Sequence, residues 1–191
     1  MKTLLLCDRE SVRYDGLDLC AQTQTTVQKA GGQTQTIILN CQEIKPCRGC
    51  FHCWLKTPGL CVMTDDCANT VSRQEIQADA VILLSKITYG GYSGDVKAFL
   101  DRSIPNISPF FELVKGTMRH RRRYDRFPYL ISIGYDARTP KEQQTFLTLA
   151  ERNALNMRPP QYFAFTMQSS GEVEATMQAL EDILRREVWR P

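Results

Sequence analysis

Hydrophobic positions along the chain fall into short runs separated by amphipathic stretches. Residues 2–7 form a brief apolar run suited to a buried strand, and residues 34–39 ("TQTIIL") alternate polar and β-branched side chains as a second strand does. Residues 78–85 ("ADAVILLS") and 127–134 are continuous apolar runs of the kind found where a sheet is covered on both faces. Residues 162–168 supply a fifth strand. Helical spacing fills the gaps. Residues 15–30 place Leu17, Cys20 and Val27 near one face before Gly31-Gly32 stops them. Asp65 or Asp66 caps a helix running to Gln77. Gly94–Arg102 turns Val96, Phe99 and Leu100 inward, residues 140–156 begin with a proline in the first turn, and residues 172–188 close the chain.

Buried strands alternating with helices predict an α/β fold, a parallel sheet with helices on both faces. Five strands suit the flavodoxin-like three-layer sandwich with strand order 2-1-3-4-5, in which ligands sit beyond the carboxyl ends of the strands. The loops to watch are therefore 8–15, 86–93 and 135–139, with a cysteine-rich segment opening at the same edge. Residues 1–191 are expected to form a single domain, with a cysteine-rich loop at 46–61 and an irregular insertion at 103–126.

Composition narrows the class without deciding it. Among 191 residues, 42% are hydrophobic and 24% charged, ordinary for a soluble globular protein, and a net charge of +3 gives no reason to invoke nucleic acid. No apolar stretch approaches a membrane span, and the first residues do not read as an export signal, so a cytoplasmic protein with no membrane partner is expected. In a reducing compartment, eight cysteines point to metal binding or thiol chemistry ahead of a disulfide framework.

The densest chemistry is "PCRGCFHCWLKTPGLC", which holds Cys47, Cys50, Cys53 and Cys61. Two-residue spacers let successive thiolates turn toward one centre, which favours an iron–sulfur cluster of the [4Fe–4S] type; zinc sites more often use two separated pairs. Thiol or disulfide chemistry and simple packing remain open alternatives. Cys7, Cys20 and Cys41 are expected in the core, and Cys67 beside the segment but outside it. His52 lies between two of the cysteines and is expected to tune their loop. A second informative stretch, "SKITYGGYSGDVKAFLDR", ends a strand, frees backbone at Gly90-Gly91 and starts a helix. Tyr89 and Tyr92 there suit packing on a planar ring, or form a glycine turn with surface tyrosines.

Together, "PCRGCFHCWLKTPGLCVMTDD" and "YGGYSGDVKAFLDR" resemble the flavodoxin-like NAD(P)H-dependent FMN reductases, in the branch that includes iron–sulfur flavoproteins. The resemblance implies FMN with its ring near Ser85, Thr88, Tyr89 and Gly90, and near Gly134, Tyr135 and Asp136, Tyr89 and Tyr135 being the residues to contact it. In cluster-bearing relatives the ligands correspond to Cys47, Cys50, Cys53 and Cys61. The chain departs from the family after the first strand, where a small-residue G-S-x-R loop wraps the FMN phosphate with amides and hydroxyls at a helix start. Here it reads "CDRESVRYDG": Asp8 and Glu10 would repel a phosphate, while Arg9, Ser11 and Arg13 would partly compensate. Lys86 stands where the family usually has proline.

The basic run "MRHRRRYDRF" reads as a solvated loop, as a site for a phosphorylated ligand such as the 2′-phosphate of NADPH, or as a dock for an acidic partner. The apolar stretch before it, "IPNISPFFELV", predicts a homodimer contact or a lid on the protein's own core. The sequence therefore predicts an oxidoreductase that moves electrons from a nicotinamide cofactor through FMN to a small-molecule acceptor or a cysteine-ligated cluster. The flavin carries the chemistry, and no side chain is assigned as catalytic. The competing reading is a non-enzymatic, redox-sensing or binding module that has lost tight FMN binding.

Overall fold

A computed structural model describes residues 1–189. Strands β1 (Lys2–Asp8), β2 (Gln33–Leu39), β3 (Ala80–Thr88), β7 (Tyr129–Tyr135) and β8 (Tyr162–Thr166) form the central path in the order β2-β1-β3-β7-β8. All four pairings along it are parallel, as the expected 2-1-3-4-5 order requires. Side chains alternate across the sheet with a period of two. Leu4, Leu6, Val81 and Leu83 pack on one face with Val96, Phe99 and Phe146; Leu5, Cys7, Ile82 and Leu84 pack on the other with Leu19, Val27 and Leu180. Helices α1 (Leu19–Lys29) and α6 (Val173–Ile183) cover the second face, while α3 (Ala68–Gln77), α4 (Gly94–Arg102) and α5 (Pro140–Met157) cover the first.

Three differences from the sequence reading have local causes. The first helix starts at Leu19 and not at residue 15, because Arg9–Arg13 winds into a 3-10 turn, Asp15 and Gly16 take positive φ, and Asp18 caps Ala21 N. Residues 103–126, expected to be irregular, contain a hairpin of β5 (Ile107–Val114) and β6 (Thr117–Arg122), closed at Lys115-Gly116, both with positive φ. Cys41, expected in the core, is exposed in a turn; Cys7 and Cys20 are buried as expected and are joined by a disulfide between β1 and α1. After β3, the short strand β4 (Gly91–Tyr92) folds back on it. The turn places Tyr89 (φ 51°) and Gly90 (φ 79°) at the two central positions, the left-handed pair of a type I′ hairpin.

One buried acid anchors the hairpin's base. Glu75 of α3 is fully buried, and its carboxyl accepts from Asn106 Nδ2 at 2.7 Å. Burial pushes its pKa from 4.5 up to about 7, with the Asn106 hydrogen bond opposing weakly. The folded state therefore holds this proton up to about pH 7 while the unfolded chain releases it near 4.5, so the stabilisation is present below that pH and is lost as pH rises through about 7. Urea unfolding should show Glu75 costing the wild type ~3 kcal/mol of stability as pH rises from about 4.5 to above 7. The Glu75→Gln variant should show a clearly smaller slope, the buried Asp8 supplying the remainder, and be the more stable protein at the alkaline end; equal slopes would contradict a neutral buried Glu75.

Candidate functional site

The site is built at the carboxyl ends of β1, β3 and β7. Asp8, the last residue of β1, is buried, and its carboxylate accepts from Lys86 N at 2.6 Å, Tyr135 Oη at 2.7 Å and Ser11 N at 3.0 Å. Burial raises the Asp8 pKa, and these hydrogen bonds work against it. The Tyr135 hydroxyl, buried and facing that carboxylate, is held firmly protonated. Its ring meets Tyr14 at 4.9 Å. Above them lies a cleft of about 670 Å3, within the range of small-ligand sites, bounded by the 9–15 loop, Lys86, Tyr135, Asp136 and the 168–170 loop after β8.

Charge in the cleft is almost fully paired. Arg9 is drawn aside by Asp95 of α4, its Nε donating at 3.0 Å. Lys86 Nζ bridges Glu10 at 2.7 Å and Asp136 at 3.2 Å, and the Glu10 hydrogen bond leads in raising its pKa. Asp15 takes the Ser170 hydroxyl. Arg13 is exposed and, among the described residues, forms no ion pair, so it is the cleft's available cation.

Of the residues the sequence pointed to, Arg9, Tyr135 and Asp136 line this cleft; Ser11, Ser85, Thr88, Tyr89, Gly90 and Gly134 do not. Ser11 is buried and donates to Asp8 O at 2.7 Å. Ser85 Oγ accepts from Ser93 N at 2.9 Å, bracing the β3 end. Thr88 and Tyr89 are exposed on the hairpin tip, and Tyr92, suggested beside them as a ring-packing residue, is buried with its hydroxyl 3.1 Å from Ser132 Oγ. A Cβ on Gly90 would come within 2.7 Å of Thr145, and one on Gly134 within 2.7 Å of Ile87, so both glycines permit close packing against neighbours. Sequence reasoning marked the 8–15 loop without singling out Tyr14, and it missed the 168–170 loop, which only the fold brings beside it. It noted Lys86 only as a departure from the family pattern.

An FMN phosphate would ordinarily be cradled by backbone amides at a helix start. Here carboxylates already hold them: Asp8 takes Ser11 N at the 3-10 turn, and Asp18 takes Ala21 N at 2.8 Å at the start of α1. The cleft thus fits a flavin nucleotide in place and volume, with the Ser11 and Ala21 amides already taken and the Arg13 side chain left to meet the phosphate.

The four cysteines come together elsewhere. Cys47, Cys50, Cys53 and Cys61 line one small cavity of about 40 Å3, Cys53 and Cys61 buried, Cys47 and Cys50 exposed at its rim. Burial leads in raising the Cys53 pKa, and the three neighbouring thiols add to it. Cys53 sits on the short helix α2 (His52–Leu55), pinned by Trp54, whose Nε1 donates to the carbonyls of Ile104 and Ile107 at 3.2 and 3.1 Å. Asn69 grips Cys61 at both its amide (3.1 Å) and its carbonyl (2.9 Å). Cys67 is exposed and does not line the cavity. The donor chemistry fits a thiolate-bound cluster, although among the described residues no group of three or more Cys, His, Asp or Glu side chains is arranged to hold a metal ion. A groove of about 430 Å3 between α4 and α5 reaches Cys47 from the other side.

Residues 1–180 match the family model described as NADPH-dependent FMN reductase. The chain belongs to this family. Within the family's relatives, it is 33% identical over 87 residues to an iron-sulfur flavoprotein of Methanocaldococcus jannaschii, covering 46% of this chain and 44% of that one. It is 30% identical over 74 residues to an iron-sulfur flavoprotein of Methanosarcina thermophila, covering 39% and 37%. The matched stretches thus span less than half the length of these curated relatives. Among solved structures it is similar to an NAD(P)H:quinone oxidoreductase from Methanothermobacter marburgensis (TM-score 0.69, 10% identity, 100% of this chain and 98% of that one). It is similar too to an FMN-dependent NADH-azoreductase from Bacillus anthracis in complex with FMN (TM-score 0.65, 10% identity, 98% and 99%). At such identity these two structures establish the shared fold alone.

As a member of this FMN reductase family, the chain should respond sharply at Asp8. Asp8→Ser frees the Ser11 and Lys86 amides and removes a negative charge from the cleft. Flavin-fluorescence titration should show FMN binding tightened on the order of tenfold; unchanged or weaker affinity in a variant with native circular dichroism would contradict this role for Asp8.

Proposed function

We propose that the chain is an FMN-dependent, NAD(P)H-linked oxidoreductase that delivers electrons to a small-molecule acceptor or to a [4Fe–4S] cluster held by Cys47, Cys50, Cys53 and Cys61. The observation that carries this reading is the large cleft at the carboxyl ends of β1, β3 and β7 in a chain whose residues 1–180 match the NADPH-dependent FMN reductase model. A bound flavin supplies hydride acceptance from a nicotinamide and release of electrons to a further acceptor. The chain's own residues position and shield. Arg13 would meet the phosphate while Lys86 stays tied to Glu10 and Asp136, Tyr14 and Tyr135 form the cleft's aromatic floor, and the Tyr135 proton stays in place because Asp8 holds it.

The arginine-rich strand β6 stands outside the wall of this cleft, and Arg122 and Arg123 donate to the carbonyls of Arg158 and Ile107. That placement favours docking of an acidic partner over a hold on the 2′-phosphate of NADPH, and nothing in it suits nucleic acid. Phe111, Leu113 and Met118 share one face of the β5–β6 hairpin, with Leu113 opposite Met118 and all three largely exposed. We assign this face to a homodimer contact. Thiols exposed at Cys41, Cys47, Cys50 and Cys67 suit a reducing, cytoplasmic setting, in which the Cys7–Cys20 disulfide is shielded by burial, and no helix among the described residues is long and apolar enough to cross a membrane.

A second reading, a redox-sensing or binding module without activity, draws support from the carboxylates that cap both helix starts beside the cleft. One experiment separates the two. Anaerobic protein supplied with FMN, iron and sulfide should turn yellow-brown and oxidise NADPH in the presence of a quinone; a protein that stays colourless and inert would favour the module. For the dimer, light scattering should show Leu113→Asp/Met118→Asp shifting the native mass to that of one chain, and an unaltered dimer would remove the hairpin from the contact.

A further inference from the structure

Arg102, at the end of α4, is wholly buried, as is the carboxylate of Asp66: their side chains are 0% and 1% exposed. A guanidinium has five N–H donors. Four of them point at partners in the segment that carries the cysteines. Nη1 donates to Lys45 O at 2.8 Å and Asp66 Oδ2 at 2.6 Å, and Nη2 to Met63 O and Asp66 Oδ1, both at 3.2 Å. The fifth, on Nε, is buried and has no hydrogen-bond partner. Arg102 also forms part of the wall of the cavity lined by Cys47, Cys50, Cys53 and Cys61, and Cys61 lies close enough to act on its guanidinium. Buried donors are seldom left without an acceptor, and the cavity that Arg102 borders is lined by four sulfurs. Arg48 and Asp101 also border the cavity and are partly or fully exposed, so Arg102 with its partner Asp66 is the buried charge beside it.

We propose that Arg102 is a positioning residue for the cluster: its Nε–H is reserved for a sulfur of the bound cluster, and its charge sets how readily the cluster takes up an electron. The inference rests on the reading that these cysteines hold a [4Fe–4S] cluster. With a cluster bound, uptake of one electron from a reduced flavin would make it more negative by one charge, with no bond formed or broken. A buried cation and an N–H···S contact stabilise that extra charge, so they raise the reduction potential. Asp66 offsets part of the cation's field, which leaves the directed Nε–H as the component that substitution by lysine removes.

The test uses whole protein reconstituted anaerobically with iron and sulfide, with iron content and a mediator-based redox titration as readouts. Arg102→Lys keeps the charge and loses the fork. Arg102→Met/Asp66→Leu replaces the buried pair with apolar side chains, a change that commonly preserves folding. Both variants, with native circular dichroism and wild-type iron content, should have a reduction equilibrium at least tenfold less favourable, which is about 59 mV lower for a one-electron couple. Iron-replete variants titrating with the wild type would overturn the inference and leave Arg102 a purely structural clamp. Wild-type protein that takes up no iron would instead overturn the cluster reading, and this inference with it.

Discussion

The carboxylate of Asp8 is the constraint on which the site depends. It stands at the end of β1, where the strand order reverses, and gathers the amide of Lys86 from the β3 end, the hydroxyl of Tyr135 from the β7 end and the amide of Ser11 from the following turn. Removing an acceptor shared by three buried donors would leave each unsatisfied, at ~1–3 kcal/mol apiece. That cost explains why an acidic residue can persist where a phosphate-binding loop is expected: it holds the ends of three adjacent strands in register and shapes the cleft. The same bonds occupy amides that a cofactor phosphate would need.

Helix α4 links this cleft to the cysteine cavity. Near its start, Asp95 accepts from Arg9 of the first loop and, at 2.9 Å, from the amide of Cys41. At its end, Arg102 holds Lys45, Met63 and Asp66 around the cysteine segment. The acid lies in the first turn and the base in the last, as the helix dipole favours. One rigid element therefore fixes both regions, and Trp54 and Asn69 finish the placement of the segment against the hairpin and α3.

The sheet was legible because its signal is local. Short apolar runs such as 78–85 are typical of strands covered on both faces, and their alternation with helical spacing leaves few topologies. The cysteine grouping was legible from spacing. What sequence alone did not disclose is long-range. Ser170 reaches the cleft only because β8 lies beside β7, and Arg102, a plain helix-end arginine in the sequence, becomes the buried neighbour of four cysteines only once α4 packs on their loop. The hairpin at 107–122 was hidden by prolines and charges that argue against strand, overridden by the Lys115-Gly116 turn and cross-strand pairs such as Phe111 with His120. Ser85 and Gly134 carried the family's pattern, yet their surroundings give them packing and bracing roles.

Asp8 holds the Ser11 amide that a cofactor phosphate would use, which leaves the cofactor to be held by its ring and by the exposed Arg13. Comparing the affinities of the wild-type protein for FMN and for riboflavin, which lacks only the phosphate, tests it directly. Dissociation constants within about tenfold of one another are expected, the small contribution of a solvent-exposed charge. A preference for FMN of about a thousandfold or more, as several charge-assisted hydrogen bonds to the phosphate would give, would contradict it.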